Sequence, residues 1–337
     1  MARQPRAKST GVKSSALLDA LSFCSCVSEK LGASYETHIG LRGNWAISFN
    51  GIVAAGSPIN EDILCHPHNL LLIEALSKCD ENFSLTQLDN GRLSIKSGKF
   101  KAVVPCLDPV LMQSAIPDPP IVAITNKFKE AIEAVGVLAS ENAQHVLTAS
   151  VLMNGPSVIS TNRKMIFEYW HGLDLPPNIP LPKQFVAALV KQKKNLSKFG
   201  FSNSSATFYF EDGCWLRTQL YSDSWPDVSN ILNREANLWP IDPNFFKALE
   251  AVAPFSEDGN VYFDTNLIMS HADHGVGASH ECNGLPKGAT YPAKQLMMLK
   301  PHVKRVDYMT KNGHDSTGYM LKFEGDNVRG LIAGRER

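Results

Sequence analysis

The residues best suited to chemistry in this 337-residue chain are few and loosely grouped. His271-Ala-Asp-His274, followed by His280-Glu-Cys282, has the side-chain types that hold zinc or manganese, and His271, His274 and His280 would be the ligands of a metal-dependent hydrolase. A polar loop between two strands explains the same letters, and nothing nearby supplies the second layer of groups that orients a ligating histidine. Cys24-Ser-Cys26 falls within helix spacing without a partner pair, which reads as core packing rather than redox work. Asp212, Asp223 and Asp227 sit at turns, where aspartate bends or caps the chain unaided. No glycine-rich phosphate loop, nucleophile elbow or Cys-x-x-Cys pair occurs, so no metal and no cofactor are expected.

The elements that would position any site follow a repeat. Phe128-Lys-Glu-Ala-Ile-Glu-Ala-Val135 recurs as Phe245-Phe-Lys-Ala-Leu-Glu-Ala-Val252, apolar at the first, fifth and eighth places, which is helix spacing. Leu17, Leu21 and Cys24 hold those places upstream, and Ser-Glu follows each helix at 28–29, 140–141 and 256–257. A second helix opens beside a proline at Pro67, Pro182 and Pro292. Its apolar positions are Leu70, Ile73 and Leu76, then Phe185, Leu189 and Val190, then Leu296 and Leu299. Strands broken by Asp89-Asn-Gly91, Asp212-Gly213 and Asn312-Gly313 come next, and such turns join antiparallel neighbours. Three homologous α+β domains are expected, linked by the proline-rich Leu107 to Pro120 and by Asn230 to Pro240.

Composition narrows the function class. Lys plus Arg and Asp plus Glu both number 33, which excludes a chain-wide basic coat, and 44% hydrophobic residues exclude general disorder. No apolar run approaches the ~18–20 residues that cross a bilayer, and Met1 to Lys13 carries Arg3, Arg6, Lys8 and Lys13 without the core of a signal peptide. A cytoplasmic protein with a flexible basic tail is expected, its seven cysteines reduced.

These residues resemble the bacterial DNA sliding clamp family, the β subunit of DNA polymerase III, over nearly the whole chain. The most specific stretch is His66 to Pro105, where a helix precedes Gly91-Arg-Leu-Ser-Ile-Lys-Ser-Gly-Lys-Phe100 and a strand ends at Pro105. Next is Trp215 to Val228, where a strand leads into Ser224-Trp-Pro-Asp-Val228, similar to the aromatic-Pro-Asp that closes the family's second domain. Identity elsewhere is low, as in a divergent member, cellular or phage-encoded.

The resemblance implies a tail at 1–13 and clamp domains at 14–115, 116–235 and 236–337. It also implies a head-to-tail homodimeric ring around duplex DNA, with helices lining the lumen and antiparallel sheets outside. Such a ring has no active site and tethers a DNA polymerase by raising its effective concentration. Lumen helices should present Lys or Arg to phosphates without reading bases. Lys191, Lys194 and Lys198 lie at i, i+3 and i+7, opposite Phe185 and Leu189, and Lys127, Lys129, Lys300, Lys304 and Arg305 play the analogous part. The first domain offers Lys78 and Lys30. Polymerase and clamp loader would dock a short peptide motif in a pocket of the second and third domains. The family's pocket run falls on Thr161-Asn-Arg-Lys-Met-Ile166, keeping Thr161 and Ile166 in kind, and its C-terminal run falls near Ala333-Gly-Arg-Glu-Arg337, leaving Leu331, Ile332 and Ala333 as contributors beside Leu152. Phe100 and Phe255 fall at the subunit interface, where edge strands need covering. A clamp-like peptide binder that does not encircle DNA is the alternative on the same fold.

Overall fold

In the computed structural model of the chain, the described residues are 12–29, 31–88, 91–273, 275–309 and 319–336. The tail from Met1 to Gly11, Lys30, the Asp89-Asn90 turn, His274, the Asn312-Gly313 turn and Arg337 lie outside them. Val12–Lys13, expected within the tail, instead form a short strand paired with Asn82 and Phe83.

The helices follow the apolar spacing. Ser14–Cys24 buries Leu17, Leu21 and Cys24, and Asn126–Gly136 buries Phe128, Ile132 and Val135. Phe245–Val252 buries Phe245, Leu249 and Val252. Each such aliphatic or aromatic side chain contributes about 1.5–3 kcal/mol when taken out of water. Asn69–Leu76, Lys183–Lys191 and Ala293–Met298 are the helices beside the prolines. Two of these prolines end strands, Ile179–Pro182 and Ala289–Pro292, so the ring stops pairing and the helix starts at the next residue. Within these helices two expected core positions are corrected. Leu70 and Val190 face solvent, while Leu72 and Ala75, and Val186 and Ala188, take the buried stripe.

The chain forms two compact units. The first joins the described residues up to Lys129 with Gln184–Ser222, and the second joins Glu130–Lys183 with Asp223–Arg337. Within the first, a seven-stranded sheet runs in the order Gly40–Arg42, Trp45–Phe49, Val53–Pro58, Trp215–Gln219, Ser205–Phe210, Leu196–Phe201, Val122–Ala123. A four-stranded sheet of Val12–Lys13, Asn82–Gln87, Arg92–Ser97 and Phe100–Pro105 leaves the last strand as an edge. Within the second, eight strands run Ile179–Pro182, Ser150–Asn154, Ser157–Thr161, Met165–Trp170, Val328–Ala333, Met320–Gly325, Val303–Met309, Trp239–Pro240. Five more, from Ser279–Glu281 to Arg335–Glu336, complete it. All these pairings are antiparallel.

The large sheets join strands far apart in sequence. Val53–Pro58 pairs with Trp215–Gln219, and Met165–Trp170 pairs with Val328–Ala333. At the first junction Trp215, 1% exposed, lies across Gly56, where a Cβ would fall 2.2 Å from the indole Cε2. The proline-rich linker is also pinned. Asp118, 7% exposed, accepts Ser205 Oγ–H at 2.7 Å and Thr207 Oγ1–H at 2.8 Å, and Arg217 stands 3.7 Å from its carboxylate.

Candidate functional site

In the second unit, four strands and one short helical turn build an apolar groove. Leu152, Ile159, Ile166 and Leu331 project from neighbouring strands, because the Cα atoms of Ile159 and Leu152, and of Ile166 and Leu331, are cross-strand partners. They form one cluster with Leu232 of the turn Ser229–Leu232, and Trp225, Val228 and Met320 pack against it. Beside this cluster opens a cavity of ≈ 390 Å³, lined by Leu152, Ile159, Trp225, Val228, Leu232 and Glu168 among others. Its wall is held rigidly. Trp225 Nε1–H donates to Ser150 Oγ at 2.8 Å, and the Ser150 hydroxyl donates to Val146 O at 2.6 Å. Asp227 caps the turn by accepting the Ser229 N–H at 2.8 Å, and hydrogen bonding to Ser229 holds its carboxyl below the usual range.

A buried ion pair braces the same wall. Glu168, 4% exposed, accepts Ser157 Oγ–H at 2.7 Å and Arg329 Nε–H at 2.6 Å. Arg329 also donates to Asn233 Oδ1 at 2.8 Å and lies 4.7 Å over the Trp170 ring. Both carboxylate oxygens therefore have partners, the condition under which a buried charge is tolerated.

Of the residues expected in the pocket, Leu152, Ile166 and Leu331 come together there. Three do not. Thr161 turns its hydroxyl to Met165 O at 2.7 Å and braces the turn before that strand. Ile332 alternates to the opposite face beside Met165, fully buried, since successive strand residues point to opposite sides. Ala333 ends the strand exposed, its N–H donating to Lys164 O at 2.7 Å. Ile159, Leu232, Glu168 and Arg329 were missed. Trp225 and Val228 stand in the Ser224–Val228 run, whose family likeness points to a domain closure and carries no sign of a groove wall.

The basic residues divide. The helix carrying Lys191 ends there, Lys194 falls in the following turn, and Lys198 lies on the strand Leu196–Phe201, so the three do not share a helical face. Asn126 anchors the chain where the next strand begins: its Oδ1 accepts the Leu196 N–H at 3.0 Å, and its amide donates to Asn195 Oδ1 at 2.6 Å. Lys194 turns inward onto Asp212, with Cys214 Sγ at 3.1 Å and the Phe23 ring at 4.8 Å. Burial works against its charge, yet hydrogen bonds to Asp212 and Cys214 keep its pKa above the ordinary value. Lys129 donates to Gln192 O. Lys300 pairs with Glu250, Lys304 with Asp326 at 2.6 Å, and Arg305 with Glu324 at 3.0 Å, Lys304 and Arg305 standing on a strand. Lys78 pairs with Glu74 at 2.9 Å.

Lys127, Lys191 and Lys198 are exposed and make no ion pair among the described residues. Lys191 also lines a polar recess of the first unit with Ser22, Ser25, Cys26, Ser28, Glu29 and Gln192.

Phe100 is half-buried on the free edge strand Phe100–Pro105, and Phe255 is 62% exposed in the turn Ala253–Phe255. Asp212 accepts the Cys214 N–H at 3.1 Å, a turn role as expected. His271 accepts the Asp273 N–H at 3.0 Å, and His280 stands on the strand Ser279–Glu281 with its Nδ1 2.8 Å from Glu281 O. No group of three potential metal ligands occurs among the described residues, and no described helix is long and apolar enough to cross a membrane.

No protein-family model and no curated protein matches the chain. Among solved structures, the C. crescentus β sliding clamp is similar with a TM-score of 0.81 at 14% identity, over 99% of this chain and 100% of that one. The DNA polymerase sliding clamp of Bacillus subtilis is similar at 0.80 and 11% identity, with the same coverage. The Helicobacter pylori β clamp, solved bound to a DNA ligase peptide, is similar at 0.77 and 16% identity over 99% and 100%. The chain therefore has the sliding-clamp fold, and at this sequence distance the likeness speaks of fold alone.

Proposed function

We propose that the chain is a replication processivity clamp. Two copies close head to tail into a ring around duplex DNA, and the groove at Trp225 captures a short peptide of the DNA polymerase and of the clamp loader. The observation that carries this reading is the fold match over 99% of the chain and all of each solved clamp. The protein works in the cytoplasm and catalyses nothing; it divides into domains at 14–115, 116–235 and 236–337. The apolar groove is of the kind that seats a few peptide side chains. Phe100 on an edge strand and exposed Phe255 supply the apolar contacts of the ring joint. Phosphate contact falls to Lys127, Lys191 and Lys198, while Lys194 serves the interior and Lys300, Lys304 and Arg305 are partly neutralised by their carboxylates.

That neutralisation favours one competing reading, a clamp-like peptide binder that leaves DNA alone. Sedimentation velocity at micromolar concentration separates the two. A closed ring runs at twice the 37.0 kDa chain mass, and Phe100→Asp with Phe255→Asp returns it to one. A wild-type monomer overturns the clamp reading. With the dimer present, Lys127→Glu, Lys191→Glu and Lys198→Glu together should lower polymerase processivity on a primed template without changing sedimentation. Unchanged processivity removes the phosphate role.

A further inference from the structure

Two cysteines of the first unit meet at a place that neither the groove nor the basic residues use. Cys65 is clamped to the strand Gly40–Arg42: its N–H donates to Leu41 O at 3.0 Å and its carbonyl accepts the Leu41 N–H at 2.8 Å. Two residues further on, Pro67 forms an isolated antiparallel bridge with Cys106, the residue directly after the edge strand Phe100–Pro105. That bridge is flanked by His68 N–H to Pro105 O at 3.0 Å and Leu107 N–H to His66 O at 2.8 Å. Residues two apart on a strand face the same side, so Cys65 shares the face of Cys106, one diagonal step away. Across that step the two thiols bear on each other's protonation. Cys65 is 2% exposed, whereas Cys106 is half-buried and reachable from solvent.

We propose that Cys65 and Cys106 are a dithiol oxidation site that closes to a disulfide when the protein meets a peroxide. The electronic setting agrees with that geometry. Burial pushes up the thiols of Cys24, Cys26, Cys79, Cys214 and Cys282. The neighbouring Cys65 thiol instead brings Cys106 down, making it the readier nucleophile. In the first step the Cys106 thiolate attacks one peroxide oxygen, the O–O bond breaks, and the other oxygen leaves as hydroxide and is protonated to water. In the second step the Cys65 sulfur, giving up its proton, attacks the Cys106 sulfenic sulfur; the S–S bond forms and the S–OH bond breaks, releasing a second water. Two thiols lose two electrons, and one hydrogen peroxide becomes two waters. The new bond ties the end of the edge strand to the segment clamped on Leu41, closing the intervening chain into a loop.

The test uses the full chain, reduced and then freed of reductant, treated with stoichiometric hydrogen peroxide. Thiol titration in denaturant should fall from seven to five. The intact mass should drop by about 2 Da, reversed by dithiothreitol, with peptide mapping joining Cys65 to Cys106. Cys106→Ser, at the half-buried position, should abolish the loss, and Cys79→Ser should leave it intact. A count that stays at seven, a gain of about 16 Da on Cys106 without cross-linking, or a bridge between other cysteines overturns the proposal.

Discussion

Replacing Arg329 by Met tests whether the groove wall rests on its buried ion pair. In the native protein the Glu168 carboxylate is 4% exposed and receives two hydrogen bonds, from Ser157 at 2.7 Å and from Arg329 at 2.6 Å. Methionine keeps much of the side-chain volume but leaves the buried charge with the Ser157 hydroxyl alone. Removing one member of a buried pair costs about 3–5 kcal/mol. Because the Arg329 side chain keeps 26% of its surface in water, the lower end applies, about 3 kcal/mol, which is roughly a hundredfold in the folding equilibrium. Adding Glu168→Gln to the same chain removes the stranded charge, so the double variant should recover about 2 kcal/mol of that loss. Urea unfolding followed by circular dichroism, on wild type, both single variants and the double, gives the full cycle. If Arg329→Met costs less than about 0.5 kcal/mol, or the double variant is no more stable than Arg329→Met, the ion pair does not brace the groove.

Two further outcomes follow from the packing. Gly56→Ala should destabilise the first unit by about 1–3 kcal/mol, since its methyl would meet the Trp215 indole at 2.2 Å. A melting temperature within about 1 °C of wild type would refute that packing. His171 is 4% exposed with Nδ1 accepting the Leu173 N–H at 3.1 Å, and burial lowers its pKa from 6.5 to about 4. Above the unfolded pKa the ring is neutral in both states; below it the unfolded chain takes the proton first. Stability should therefore fall as pH drops from about 6.5 to 4, by roughly 3 kcal/mol in all, and His171→Gln should flatten that fall. Parallel pH profiles for the two proteins would contradict it.

Much of the scaffold can be read from local letters because local physics builds it. Phe128, Ile132 and Val135 are buried because one helix face meets a core, and Asp212-Gly213 turns the chain because Gly213 takes φ of +86° without a Cβ to clash. Other features depend on distant partners. Past the helix that ends at Lys191, the Asn126 side chain claims the Leu196 N–H where the next strand begins, a partner that no letter near Gln192 announces. The lysine pattern read through Lys198 fails there. Pairing across distant blocks is equally invisible, because a central strand uses both edges and its sequence reports neither partner. Ile332 shows the finer limit: next to Leu331 and equally apolar, it belongs to the other side of the sheet, and only the Met165 register says so. Cutting the chain after Gly330 would therefore delete two core residues, Leu331 and Ile332, along with the tail.

The pairing of Met165–Trp170 with Val328–Ala333 makes the second unit a splice of remote chain segments. A polypeptide severed near Asn237 would leave each half with a raw seam of unpaired amides, so neither piece should stay in solution by itself. Made together, the halves have a template for each other in that seam, and the break would heal by annealing rather than by ligation.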